Sequence, residues 1–307
     1  MKLFATTPRL LSTLALTVLA TTALAAEPAT TQRVSFVPTD KANDPATLGV
    51  RAVAPFGAAT RYVFSAPPHE SAQVAAEIYG PIAEYLTHIT GKHVVYRHPA
   101  NWMAYQADMR KGDYDLVFDD PHFNGWRVAN LKHNILVKTS GEHSFVVVVK
   151  KDNAKINELK HLAGRAVCGM SPPHLGTLTV LKEFDNPMRQ PVIQSTQGWD
   201  TVYQNMQAGR CAAAILPTRN FEKFDALGEA TRVLYKARAF PNQALSAGLR
   251  VTPEDQARIV GALTAIEARL PLTKLREVNA LSGDFVPADK SEYLGVASLL
   301  QDTWGYQ

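Results

Sequence analysis

Between Arg61 and Trp126, short apolar runs alternate with helical patterns about ten to fifteen residues long. That rhythm is how parallel sheets in α/β domains are written. Tyr62-Val-Phe64, Val94-Val-Tyr96 and Leu116-Val-Phe118 read as the strands. Ligands of open α/β sheets sit in the loops at the carboxyl ends of strands. Ser65, His69 and Glu70 in one loop, and Asp119, Asp120 and His122 in another, are therefore the first candidate site residues.

The helix after the first strand carries Val74, Ile78, Ile82, Leu86 and Ile89 at helical spacing. Gly80-Pro81 suits a helix start, so the main helix is expected from near Pro81 to Gly91, where glycine supplies the left-handed end. A second helix is expected over Met103 to Lys111 and a short one around Asn124 to Ala129. Beyond these the rhythm changes: Ile135-Leu-Val137 and Phe145 to Val149 flank Ser140-Gly141 with no helix-length segment between them. Two extended runs joined in this way read as a crossing to a second domain.

A second alternating set follows, with helices over Ile156 to Leu162, Leu175 to Phe184 and Trp199 to Ala208. Its strands are expected at Ala166 to Gly169, Val192 to Gln194 and Ala212 to Leu216. Arg232 to Lys236 and Leu245 to Leu249 are further strands. Thr252-Pro-Glu-Asp255 is a strong helix start, with an N-cap, proline in the first turn and acids against the helix dipole. A last helix is expected over Ser291 to Thr303.

The 307 residues allow one large or two medium domains. A net charge of +4 without a basic run gives no footprint for nucleic acid. Residues 1–25 read as a secretory signal: Lys2 and Arg9, an apolar stretch from Leu10 to Leu24, and Ala23-Leu-Ala25 as the cleavage site. Everything after about Ala26 is therefore expected to be exported. Residues 26–58 read as an extended lead-in, with Val34 to Val37 as a possible strand. Export places Cys168 and Cys211 in an oxidising compartment, and if their strands are neighbours a disulfide is feasible.

Five stretches in order resemble the phosphonate/phosphite-type periplasmic solute-binding proteins of ABC importers. They are Pro81 to Leu86 followed by Thr90-Gly-Lys92, then Met109 to Leu116, Leu159 to Val167, Met206 to Ala213, and Gly283 to Asp289. The resemblance covers about residues 60–305. It implies an α/β fold of type II with two lobes, each a mostly parallel sheet with flanking helices, joined by a two-strand hinge. The expected division is 59–142 plus 251–307 for the first lobe and 143–250 for the second. It also implies a small-molecule solute in the inter-lobe cleft, an ABC permease as partner, a monomer, and no cofactor. A solute sensor docking on a membrane kinase is an alternative use of the same receptor.

In the family, the loop after the first strand of the second lobe holds the oxyanion with hydroxyls and backbone N–H groups. The matching stretch here is Gly169 to Thr177. Ser171 and Thr177 keep hydroxyls, but Pro172 and Pro173 have no N–H to donate. Trp199 and Thr218 open two further helices and join the ligand candidates. Three strand-end loops carry a histidine beside proline: Pro68-His69, Pro121-His122 and Pro173-His174. With Asp119 they supply the donors of a transition-metal site, the alternative reading of this cleft. Equally, the imidazoles can pair with an oxyanion. The chain has no G-x-S-x-G elbow, HExxH, phosphate-cradling loop or dinucleotide fingerprint, so an enzyme is not expected.

Overall fold

The computed structural model describes residues 61–304; the expected signal sequence and lead-in lie outside them. β1 (Arg61–Ser65) pairs in parallel with β2 (His93–Tyr96) and β3 (Leu116–Asp119). α1 (Ala72–Thr90) and α2 (Trp102–Lys111) make the crossovers. Side chains alternate across a strand, so β1 sends Tyr62 and Phe64 to one core, with Ile78, Ile82 and Leu86 of α1. Val63 goes to the other face, near Tyr105 and Met109 of α2. Both faces are covered, which is why the strands read as nearly continuous apolar runs.

α1 starts earlier than the sequence indicates. Ser71 Oγ accepts from Val74 N–H at 3.4 Å, and Pro81 lies inside the helix. Proline removes one helical hydrogen bond there. Burial of Ala75, Ile78 and Tyr79 ahead of it, each worth about 1–3 kcal/mol for the larger side chains, keeps the helix going. Gly91 closes it at φ 67°.

α3 (Pro121–Leu131) leads into β4 (Asn134–Thr139), and the chain then crosses to β5 (Phe145–Lys150) in a second sheet. This sheet adds β6 (Ala166–Gly169), α4 (Leu175–Leu181), β7 (Val192–Ser195), α5 (Trp199–Gln207), β8 (Ala213–Pro217), α6 (Thr218–Phe224) and β9 (Thr231–Lys236). The chain returns in β10 (Ala244–Ala247). α7 (Pro253–Thr264), α8 (Thr273–Val278), β11 (Phe285–Pro287) and α9 (Ser298–Trp304) complete it. The strand orders are β11-β4-β10-β3-β1-β2 and β7-β6-β8-β5-β9. Both sheets are mixed. The strand entering from the other lobe, β10 or β5, lies antiparallel to both its neighbours, and four strands of each sheet run the same way.

The two crossings, residues 140–144 and 237–243, are tied by a bridge: His143 N–H donates to Phe240 O at 3.0 Å and Phe240 N–H to His143 O at 2.8 Å. Ala244–Ala247 therefore belongs to the first lobe's sheet and not to the second lobe, where the sequence reading placed it. Its ladders to β3 and β4 join residues more than a hundred positions apart, a pairing no local pattern announces.

Three other expectations change. Ile156 to Leu162 contains only a 3₁₀ turn at Leu159–Leu162. α4 stops at Leu181, and the expected last helix is a 3₁₀ turn at Lys290–Tyr293 followed by α9. α9 packs against both α3 and α4, one from each lobe. Cys168 and Cys211 are bonded, with Cα atoms 5.6 Å apart. Among the described residues, no helix is long and apolar enough to cross a membrane.

Candidate functional site

The loops after β1 and β6 and the β4–β5 crossing bring His69, His174 and His143 to one carboxylate, that of Asp120 in the loop after β3. Asp120 is the N-cap of α3 and is 1% exposed. Its Oδ2 stands 3.9 Å from His69 Nε2 and 3.9 Å from His174 Nε2; its Oδ1 stands 3.6 Å from His143 Nε2. Gln243 Nε2 donates to Oδ1 at 2.8 Å. These residues arrive from five segments and both lobes. Aromatic rings wall them in: Phe145 packs on His143 and His174, Trp199 on His174, and Trp102 on His69.

Burial sets the charge of the cluster. It pushes His69 down to about 4 and His122 and His143 to about 3, and holds His174 well below the usual imidazole range. Burial, reinforced by the neighbouring Asp119, raises Asp120 to about 7 against the bond from Gln243. The imidazoles are thus neutral, each with one donor and one acceptor nitrogen. Gly176 N–H donates to His174 Nδ1 at 3.2 Å, so that ring carries its proton on Nε2, facing Asp120. His122 Nε2 donates to Pro173 O at 2.9 Å across the lobes. Its Nδ1, Asp120 Oδ2, His69 Nε2, both nitrogens of His143 and Gln243 Oε1 are buried without a hydrogen-bond partner.

Asp119 does not join them. Successive side chains on a strand point to opposite sides, and its carboxylate turns to Arg127 Nη1 at 2.8 Å and to the Tyr105 hydroxyl. Arg127 also holds Asn124 Oδ1 and Ser246 Oγ, making a buried polar network beneath the cleft. Ser65 and Thr177, both expected as ligand groups, are engaged as well: Ser65 Oγ donates to Arg97 O at 2.8 Å and Thr177 Oγ1 to Met170 O at 2.6 Å. Ser65 thus ties the end of β1 to the residue after β2, and Thr177 satisfies a carbonyl of its own loop. Thr218 Oγ1 pairs with Ser144 Oγ at 2.8 Å beside the hinge.

Glu70, Trp199 and Ser171 line the mouth. A cavity of about 390 Å³ there is bounded by His69, Glu70, Asn101, Trp102, Ser171 and Thr196. A neighbouring one is bounded by Glu70, Gly198, Trp199 and Asn220, and the contact from Gln197 Nε2 to Glu70 O lies at their junction. Burial and the nearby Asp200 raise Glu70 to about 7. Sequence reasoning assigned neither His143 nor Gln243 to the site. Both are brought in by hinge geometry, and neither stands beside a motif.

Two α/β lobes, a two-segment hinge and a buried polar cleft at the strand ends define a two-lobe ligand-binding receptor. Residues 64–293 match the family described as the phosphonate ABC transporter periplasmic substrate-binding protein, and the chain belongs to that family. Family membership makes it a periplasmic receptor for a small-molecule solute that works with a membrane permease.

Solved structures share the fold at low identity. A binding protein component of an ABC phosphonate transporter, PA3383 from Pseudomonas aeruginosa, is 15% identical with a TM-score of 0.62, covering 80% of this chain and 86% of its own. PhnD1 from Prochlorococcus marinus, solved with methylphosphonate, is 14% identical with a TM-score of 0.64, covering 79% and 98%. XAC2383 from Xanthomonas citri, solved with ATP, is 12% identical with a TM-score of 0.61, covering 80% and 99%. Among curated proteins no sequence matches.

Proposed function

We propose that this protein captures a small oxyanion of the phosphonate class in the inter-lobe cleft and presents it, with the lobes closed about the hinge, to its permease. The observation that carries this reading is the meeting of helix N-termini around the cluster. α1 begins at Ala72 and α5 at Trp199, and residues at both starts line the mouth, while Asp120, the N-cap of α3, stands in the cluster itself. Such ends favour anions through oriented N–H groups and the helix dipole. His174 Nε2–H adds a donor from the second lobe. Asp120 suits an anion that keeps one acidic hydrogen, which its carboxylate accepts.

The methylphosphonate complex of PhnD1 supports the choice of first ligand. Calorimetry and thermal melting with methylphosphonate, phosphite, phosphate and sulfate test it. A ligand present at a hundred times its Kd stabilises by about 2.7 kcal/mol, roughly 5–10 °C for a chain of this size. The reading fails if none of these anions shifts the melt while an uncharged or cationic solute does. We also propose that the receptor is a monomer exported by removal of residues 1–25; light scattering and N-terminal sequencing of the periplasmic protein test both.

A further inference from the structure

The unpaired atoms on the cleft floor do not fit one another. Asp120 Oδ2 and His69 Nε2 are buried and without partners, yet Oδ2 stands 3.9 Å from both His69 Nε2 and His174 Nε2, too far for hydrogen bonds. These distances are also too short to seat a tetrahedral anion between the atoms. They do suit an ion: two ligands about 2.1 Å from a common centre stand roughly 3.4 Å apart at a tetrahedral angle. Gln243 holds Oδ1 and leaves Oδ2 open, the arrangement by which an outer hydrogen bond orients a ligating carboxylate.

We propose that His69, Asp120 and His174, each offering one ligand atom within 4.8 Å of the others, form a site for a divalent first-row transition ion, through Asp120 Oδ2 and the two Nε2 atoms that face it. Two imidazoles and one carboxylate are the donors such ions take, with positions left open. His69 and Asp120 belong to the first lobe and His174 to the second, so the ion clamps the lobes together. Its open face meets the cleft. Resting on the anion reading above, that face gives the oxyanion the positive partner that Pro172 and Pro173, without N–H groups, cannot provide. Ligation through Nε2 moves the ring proton of His174 to Nδ1, which then no longer accepts from Gly176 N–H.

The test uses tag-free mature protein stripped with a chelator. Zn²⁺ titration is expected to give one saturable site per chain, and Co²⁺ the visible absorption of a low-symmetry nitrogen/oxygen site. His69→Gln, Asp120→Asn and His174→Gln should each weaken Zn²⁺ at least tenfold, while His161→Gln on the surface should leave it unchanged. Melting of each metal-free variant checks its fold. If the variants fail to fold, the wild-type Gly176 amide resonance decides, since it must move on Zn²⁺ addition. No saturable metal binding, an unmoved Gly176 amide, or loss of Zn²⁺ in His161→Gln alone overturns the site. Methylphosphonate titrated into stripped and Zn²⁺-loaded protein separates the two ideas. Binding to stripped protein that takes no metal sinks this inference and keeps the proposed function. Metal binding with none of methylphosphonate, phosphite, phosphate and sulfate bound to either form keeps the site and sinks the proposed function.

Discussion

His122, on the first turn of α3, donates its Nε2–H to the carbonyl of Pro173 in the second lobe at 2.9 Å, in a position closed to solvent. The bond exists only while the lobes are together, so it favours the closed receptor. His122→Phe keeps a ring of similar size and leaves Pro173 O without its donor. A neutral hydrogen bond is worth about 0.5–1.5 kcal/mol, so solute affinity should fall about 2- to 10-fold. Small-angle scattering should show a larger open fraction; unchanged affinity and dimensions would show that the bond does not latch the lobes.

Asp119 and Arg127 form an ion pair that is almost fully buried, at 2.8 Å, with Tyr105, Asn124 and Ser246 meeting the remaining donors and acceptors. Removing one partner leaves an uncompensated charge. Arg127→Met or Asp119→Ala should cost about 3–5 kcal/mol. The double variant should cost less than the sum of the two, because its members share one network. Denaturant unfolding of the four proteins measures the coupling, and additivity would contradict it.

The Cys168–Cys211 bond closes a loop with a sequence separation of 43. On the chain-entropy account a loop of that length stabilises by about 4 kcal/mol. The Cys168→Ser/Cys211→Ser pair should melt well below the wild type, by roughly 8–16 °C. Reducing agent should lower the wild-type melt and leave the double variant where it is.

Gly176, in the first turn of α4, has no room for a side chain: an added Cβ would come within 2.4 Å of the Phe145 ring. Phe145 also packs against His143 and His174, so the ring moves only by disturbing the cluster. Gly176→Ala should destabilise by about 1–3 kcal/mol and lower solute affinity. Gly80→Ala, where an added Cβ meets nothing within 4 Å, is the control. Equal melts for the two would refute the packing argument.

Local chemistry fixes what could be read before folding. The strand-loop-helix units, the crossing at Ser140-Gly141 and the loops bearing His69, Asp120 and His174 follow from apolar spacing and turn residues, which act over a few positions. The order of five family-like stretches identified the two-lobe receptor for the same reason, since each is a local signature. Pro81 misled because a breaker rule cannot weigh the apolar surface that α1 buries on both sides of it.

The tertiary structure decided which neighbouring side chains face one another. Asp119 and Asp120 are chemically alike and adjacent. The pleat of β3 and the buried guanidinium of Arg127 turn one carboxylate away, while the start of α3 leaves the other in the cleft. The hydroxyls of Ser65 and Thr177, ligand candidates in the sequence, each donate to a carbonyl that only the fold brings near, Arg97 O and Met170 O. His143 and Gln243 enter the site because the chain passes the hinge twice, at positions a hundred residues apart. Sequence determines which groups each loop carries. The long-range ladders of β5 and β10, and the desolvation they impose, determine which groups meet without water and so which remain for a ligand.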